Sequence, residues 1–528
     1  MSTFLSNSNR STAATFALAI TAAAALTGCR VGPPYIKPTM PPPPEYKESS
    51  AAAYTNAPDG TWKPAQPGDA MLKGKWWEVF NEPELNALEE QVNINNQNIA
   101  QYFQNFLAAR ALVAEARSQL FPSLTGGASY NRSHSPGTLH NTVATGTTSG
   151  TGSGGTTTGV ATSSSSTATI LQLPFDVSWE PDLWGRVRNQ VRADQYAAQV
   201  SAADLENERL TEQADLAEYY FELRGQDALQ DLYNKTVEAD RKALEYNRAQ
   251  YQTGIANDEA VAQAEVTLRN AQETATGLAT NRALYEHAIA TLIGKPASSF
   301  SLPVRSMTYS APPIPIGMPS QLLERRPDVA GAERTMAQAN ALIGVEKAAY
   351  YPTLSLTGSG GLESSHISDL FSAPAFFWAV GSSATETIFD AGLRRATVEQ
   401  YTAQYNADVA AYRQTVLTAF QQVEDYLATV RVNSEQAVRQ KDAVASAQRY
   451  YDDAVNRYQL GLDPYLNVVD AQNTLLTDKQ TQVQLQIQQM TAAVELVQAL
   501  GGGWDATQLP AAATITSGGA ATKVKSTP

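Results

Sequence analysis

The chain has 528 residues, a formal net charge of −14 and only 17% charged residues, with Gln, Asn, Ser and Thr supplying most of its polarity. That balance excludes a nucleic-acid binder, which needs a basic stripe to meet phosphates. Past the first 28 residues no stretch has the unbroken apolar length of a membrane helix, so any crossing of a bilayer must be made by strands.

The chain opens on a secretory signal over 1–28. Arg10 supplies the positive region, and Phe16 to Leu26, with its alanine run, supplies the apolar one. It ends Leu26-Thr27-Gly28-Cys29, which resembles the bacterial lipobox, and Cys29 is the one cysteine in the protein. The expectation is a mature chain that starts at Cys29, lipidated with a diacylglycerol and a fatty acyl group. Two or more acyl chains anchor stably where one binds only marginally.

Residues 29–75 form a Pro-rich arm (Pro33, Pro34, Pro38, Pro41 to Pro44) that reads as extended. Regular structure begins near Trp76-Trp77. A helical pattern then runs from about Glu84 to Gln119 and stops at Phe121-Pro122. Two strands follow, at about 122–132 and 168–180. Leu124, Gly126, Ala128 and Tyr130 share one face of the first, and Leu171, Leu173, Phe175, Val177 and Trp179 share one face of the second. Such two-sided alternation suits a strand crossing a bilayer at a tilt. Pro174 is a blemish there, since it cannot donate to a ladder. The Gly/Ser/Thr-rich residues 133–169 read as an exposed loop.

Helical periodicity returns after Gly185, and Trp184 to Gln250 is a run of 67 residues without a proline. Unbroken, it would span roughly 100 Å. A tight turn at Tyr251-Gln-Thr-Gly254 leads to a return helix ending near Gly294. Residues 295–320 are an irregular linker. The plan then repeats over 321–504: a helix, strands at about 352–363 and 376–389, a run of 67 residues from Leu393 to Gln459, a turn at 458–465 and a last helix ending near Gly501. In that last helix Leu476, Val483, Met490 and Val497 recur every seven residues, with Ile487 and Val494 between them, which is a coiled-coil seam. Gly225 and Gly277 are breaks or close-packing points. The tail at 505–528 reads as disordered.

The repetition is written in the residues. Tyr251-Gln-Thr-Gly254 returns as Tyr458-Gln-Leu-Gly461, 207 residues later, and Gly185/Gly392 and Gly294/Gly501 keep that offset. Ala111–Arg117 matches Ala341–Lys347, and Phe121-Pro122 matches Tyr351-Pro352, at an offset of 230. A unit of this size, used twice, fixes the architecture first. Each copy supplies two strands. Four strands cannot close a barrel, and an open edge cannot persist in lipid, so sister chains must complete the wall. Two chains would give eight strands, which side chains nearly fill; three would give a twelve-stranded barrel with an aqueous lumen.

Several motifs in order carry a family resemblance: Cys29-Arg-Val-Gly-Pro-Pro-Tyr35, Trp179-Glu-Pro-Asp-Leu-Trp-Gly185, Arg325-Arg-Pro-Asp328, and Arg457-Tyr-Gln-Leu-Gly-Leu462 followed by Val469-Asp-Ala-Gln472. The chain resembles the TolC/OprM-type outer-membrane factors, in their NodT-like lipoprotein branch, over about residues 29–504. The resemblance implies a mixed α/β membrane protein: a homotrimeric transmembrane β-barrel continuous with a periplasmic α-helical coiled-coil barrel. It also implies a periplasmic adaptor and an inner-membrane pump, expected to be of the RND type, as partners in efflux. On the family pattern the two turns are periplasmic tips, with Gly254, Gly461 and Asp258 as adaptor-contact residues. Tyr458 and Asp470 are the leading gate candidates, Arg457 and Asp463 are possible tethers, and Tyr251 is the equivalent tyrosine in the first tip. Three copies of Asp470 would form an acidic ring. Asn467 stands where some relatives carry a second carboxylate, so a double ring is not expected.

No catalytic signature is present: no Gly-x-Ser-x-Gly elbow, no phosphate-binding Gly loop, and four histidines (His134, His140, His287, His366) without metal-ligand spacing. The expected function is therefore a passive exit duct, not an enzyme and without a cofactor. A type I protein-secretion duct shares this architecture, and a structural coiled-coil envelope lipoprotein is the competitor that would lack amphipathic strands.

Overall fold

The computed structural model describes residues 30–49, 74–136, 166–307, 311–314 and 324–516; Cys29 and the signal segment lie outside them. The chain divides into two compact units. One holds the residues up to Pro33, Ala114–Val191 and Ala341–Tyr401, and the other holds Pro34–Val113, Arg192–Asn340 and the rest of the chain from Thr402. Along the chain the main elements are α1 (Pro83–Asn95), α2 (Gln97–Ser118), β1 (Ser123–Gly126), β2 (Ser129–Ser135), β3 (Ser166–Trp179), α3 (Arg186–Gln252), α4 (Asp258–Leu292), α5 (Pro327–Ala348), β4 (Thr353–Ser364), β5 (Phe376–Thr385), α6 (Leu393–Gln459) and α7 (Tyr465–Ala499). Lengths pair off across the chain: α3 and α6 have 67 residues each, α4 and α7 have 35, and α2 and α5 have 22.

The first unit is built on one antiparallel sheet. β1 and β2 both pair with β3, β3 with β4, and β4 with β5. β1 and β2 are one strand interrupted opposite Pro174. Gly126 pairs with Phe175 and Ser129 with Gln172, so the register is kept across the gap. Gly127 donates its N–H to the Pro174 carbonyl at 3.0 Å, while the proline ring has no N–H to return. On the other side Pro174 pairs with Gly361, where a side chain would meet the Leu173 carbonyl oxygen at 2.2 Å. Register puts most of the apolar residues of the strands on one face, Ile170 and Phe377 excepted. Leu124 lies opposite Val177, Val177 opposite Gly358, and Gly358 opposite Val380; Leu173 lies opposite Leu362, and Leu362 opposite Phe376. That face is bare: Phe175 is 61% exposed, Trp378 71% and Val380 81%.

The strands differ from expectation at their ends. β2 runs to Ser135 and β3 starts at Ser166, so both reach into the predicted loop, whose residues 137–165 lie outside the described residues. β5 ends at Thr385 and not at Phe389; Ile388 and Phe389 lie beyond the ladder, and Asp390 caps α6 by accepting from the N–H groups of Gly392 and Arg394.

The second unit is helical, and no described helix is long and apolar enough to cross a membrane. Its core gathers Trp76, Phe80, Leu85, Leu216, Tyr220, Phe221, Ile289, Met336, Tyr412, Met490 and Val494. The single helix expected before β1 is two. Asn96 breaks it with an extended backbone: its Oδ1 caps α2 by accepting from Asn98 and Ile99, and its Nδ2 donates to Glu212 and to the Leu292 carbonyl. Gly225 is a close-packing point, since a Cβ there would sit 2.2 Å from Ile487 Cδ1. Gly277 meets nothing within 4 Å, and neither glycine breaks its helix.

The linker expected to be irregular is pinned by ions. Arg224, 0% exposed, donates to Glu84 at 2.5 Å, to Asp227 at 2.9 Å and to the Pro303 carbonyl at 2.7 Å. Asp227 also accepts from Arg282 at 2.7 Å and from the Arg305 N–H at 3.0 Å. Part of the expected disordered tail is ordered as well. Asp505 caps a short turn at Thr507, Gln199 donates to the Pro510 carbonyl at 3.0 Å, and Ile515 is buried; residues 517–528 lie outside the described residues.

Candidate functional site

The two helical hairpins, α3/α4 and α6/α7, turn by the same device. At the first tip Gly254, at φ +74°, donates to the Tyr251 carbonyl at 3.0 Å, and Ile255 donates to the Gln250 carbonyl at 2.9 Å. At the second, Gly461, at φ +70°, donates to the Tyr458 carbonyl at 2.9 Å, and Leu462 to the Arg457 carbonyl at 3.0 Å. Each pair is a Schellman motif, which satisfies the last carbonyls of a helix and asks for glycine at the left-handed residue. Asn257 then caps α4 by accepting from the Ala260 N–H at 3.1 Å, which leaves Asp258 exposed in the first turn, where a carboxylate favours the helix dipole. α7 has Pro464 in that role and no side-chain cap.

Tyr458 is the best-held of the predicted residues. Its hydroxyl lies 2.6 Å from Asn247 Oδ1 and 2.9 Å from Gln250 Oε1, both on α3, so it ties the second hairpin to the first. Its one proton is shared between those two acceptors. Gln250 in turn donates to the Tyr246 hydroxyl at 2.8 Å. The Tyr458 ring packs edge-on to Tyr246 at 6.1 Å and tilted to Tyr465 at 5.3 Å. Burial, and secondarily Tyr246, pushes the Tyr458 hydroxyl up from the ordinary tyrosine value, so it stays a neutral donor.

Arg457 and Asp463 form a tether within the second tip. Arg457 Nε reaches Asp463 Oδ2 at 2.6 Å and its second nitrogen reaches Oδ1 at 3.2 Å, a two-pronged pair closing the turn. That hydrogen bond holds the Asp463 carboxyl below its ordinary range. Asp470 is exposed on α7 and stands apart from this tether. Tyr251 is half exposed and makes no tie like that of Tyr458. Around the turns Ile255, Leu460, Leu462 and Leu466 are exposed, giving both tips an apolar end.

Sequence reasoning missed the α3 side of these ties. Asn247, with Gln250, receives Tyr458, and Asp240, 1% exposed, accepts from Gln472 Nε2. The only signal available was spacing: Tyr233, Asp240 and Asn247 recur every seven residues. Beneath the tips Leu244, Ala264, Leu268, Ala454, Tyr465, Val468 and Ala471 close a small core of their own. Among the described residues no group of three or more His, Cys, Asp or Glu side chains could hold a metal ion.

Residues 88–295 and 318–502 match the family model described as Outer membrane efflux protein. The chain is 30% identical over 489 residues to the probable efflux pump outer membrane protein SepC of Pseudomonas putida, covering 92% of this chain and 97% of that one. The toluene efflux pump outer membrane protein TtgF of Pseudomonas putida is as similar, at 30% over 489 residues with the same coverage. Among solved structures, the outer-membrane channel OprN superposes with a TM-score of 0.78 at 26% identity, over 90% of this chain and 100% of that one. The chain belongs to the outer membrane efflux protein family.

Proposed function

We propose that this efflux protein is a passive, homotrimeric exit duct of the outer membrane for small molecules, fed by an inner-membrane pump of the RND type through a periplasmic adaptor. The observation that carries the trimer is the sheet. Among the described residues one protomer has a single bare apolar face and two unpaired edges, β1/β2 on one side and β5 on the other. Lipid accepts the face and rejects the edges, so three protomers supplying four strands each would close a wall of twelve. The same sheet argues against a structural coiled-coil lipoprotein. TtgF is named for toluene efflux, which favours small organic cargo over the polypeptide cargo of a type I secretion duct. Cys29, ending a lipobox, would carry the diacylglycerol and fatty acyl anchor in the periplasm-facing leaflet of the outer membrane.

The tips serve as the gate in this reading. Tyr458 on Asn247 and Gln250 holds the two hairpins together, the Arg457–Asp463 pair stiffens the second turn, and three exposed Asp470 side chains form a ring that attracts cations while closed. The exposed apolar ends around Gly254 and Gly461, flanked by Asp258 and Tyr251, offer the adaptor a surface whose burial biases the open state. Replacing Arg457 and Asp470 together by Ala is expected to raise single-channel conductance in planar bilayers several-fold. Unchanged conductance removes the gate assignment.

A further inference from the structure

Tyr233, Asp240 and Asn247 stand seven residues apart on α3, and all three are buried, at 6%, 1% and 0% exposure. Each carries a polar tie to the second hairpin. Tyr233 Oη accepts from Gln480 Nε2 on α7, Asp240 Oδ1 accepts from Gln472 Nε2 on α7, and Asn247 Oδ1 accepts from the Tyr458 hydroxyl on α6. Val237 and Leu244 fill the alternate positions, so the row is a heptad seam with polar residues at every repeat. Buried polar residues in such a seam fix register and weaken it relative to an apolar one.

Asp240 is the acid in this row, and its second oxygen, Oδ2, is buried without a hydrogen-bond partner. A carboxylate stranded there is costly, and a neutral carboxyl much less so. The titratable groups facing it are Tyr451 on α6, itself beside Asp452, and Tyr465 on α7; burial pushes both tyrosines up, so they stay neutral. α4 contributes Ala260, Ala264 and Leu268 to the same core, none of which titrates. On α3 itself Glu238, Arg241 and Lys242 flank Asp240 in sequence, Lys242 being paired with Glu238 at 2.9 Å.

We propose that Asp240 is a proton-dependent latch for the tips: as a neutral acid it holds the second hairpin on the first through Gln472, and as a carboxylate it draws water into the seam and releases it. This rests on the reading of the tips as the gate. Burial pushes the Asp240 carboxyl up from its ordinary value, against a smaller downward effect of the Gln472 hydrogen bond. Splaying the hairpins rehydrates the carboxyl and returns it toward the ordinary value. The latched form therefore binds its proton more tightly than the splayed form. Latching is favoured at low pH and lost as pH rises through the latched-form pKa.

The test is the conductance of the full-length oligomer in planar bilayers from about pH 3.5, just below the ordinary aspartate value, to about pH 8. Wild-type conductance should rise about threefold or more with pH, as three latches release. Asp240→Asn, neutral at every pH and still offering an oxygen to Gln472, should hold the acid-pH conductance throughout. A wild-type profile in Asp240→Asn, while the Arg457/Asp470 double variant still opens, overturns the latch and leaves the tip gate standing. If that double variant also changes nothing, the gate reading falls and takes the latch with it. Should Asp240→Asn fail to assemble, the wild-type profile alone decides: a flat one overturns the proposal.

Discussion

Replacing Arg224 by Ala is expected to destabilise the helical unit by about 3–5 kcal/mol, the range for removing one partner from a buried ionic cluster. Arg224 is wholly buried and divides its hydrogen bonds among Glu84, Asp227 and the Pro303 carbonyl. Without it, Asp227 loses one of its two arginines, and Glu84 loses the cation beside it. The linker carbonyl at Pro303 is left without its donor. Arg282 remains on Asp227 at 2.7 Å and on the Leu302 carbonyl at 2.8 Å, which keeps the linker from detaching altogether. Thermal melts followed by far-UV circular dichroism should show the loss as a lowered midpoint. Arg224→Lys should recover only part of it, because an ammonium cannot span three acceptors that a planar guanidinium reaches at once. A midpoint for Arg224→Ala equal to wild type would mean that the cluster holds nothing in place.

A methyl group at Gly361 should be nearly as damaging, whereas one at Gly225 should not. Both positions have a neighbour 2.2 Å from where Cβ would stand. At Gly361 the neighbour is the Leu173 carbonyl oxygen, with Pro174 Cα at 2.9 Å, and both belong to the backbone of β3. Relief would require separating β3 from β4, the central pair of the sheet. Gly361→Ala should therefore lose about 3 kcal/mol, at the upper end for overpacking, and much of the heat-stable oligomer on unheated gels. At Gly225 the neighbours are Cδ1 and Cγ1 of Ile487, at 2.2 and 2.4 Å, side-chain atoms that can give way where a backbone cannot. Alanine there also gains about 1 kcal/mol of helix propensity, so the net change should stay within about 1 kcal/mol. Equal losses at the two sites would contradict this reading of the sheet.

The contrast shows what a sequence can disclose. Regular periods were legible: the proline-free runs are unbroken helices of 67 residues, and the alternating apolar residues of β1 and β3 do share one face. Gly254 and Gly461 were legible as turns because left-handed backbone asks for glycine. Pro174 was visible as a flaw, though not that Gly361 answers it across the ladder. Asn96 was not legible, because its helix break depends on Glu212 and the Leu292 carbonyl, far along the chain. The ties at Asp240 and Asn247 were hidden for the same reason. A polar residue on a long helix looks solvated until its partner on another helix is known. Arg457 and Asp463 lie close enough in sequence to be paired by eye; Tyr458 and Asn247 do not.

The most direct test is native mass spectrometry of the mature protein released from detergent, with ion conduction measured on the same preparation. The account predicts three chains per particle, each beginning at an acylated Cys29, and a conducting pore in a planar bilayer. A monomer that passes no ions would contradict it, since a protomer with two unpaired strand edges would then be stable alone.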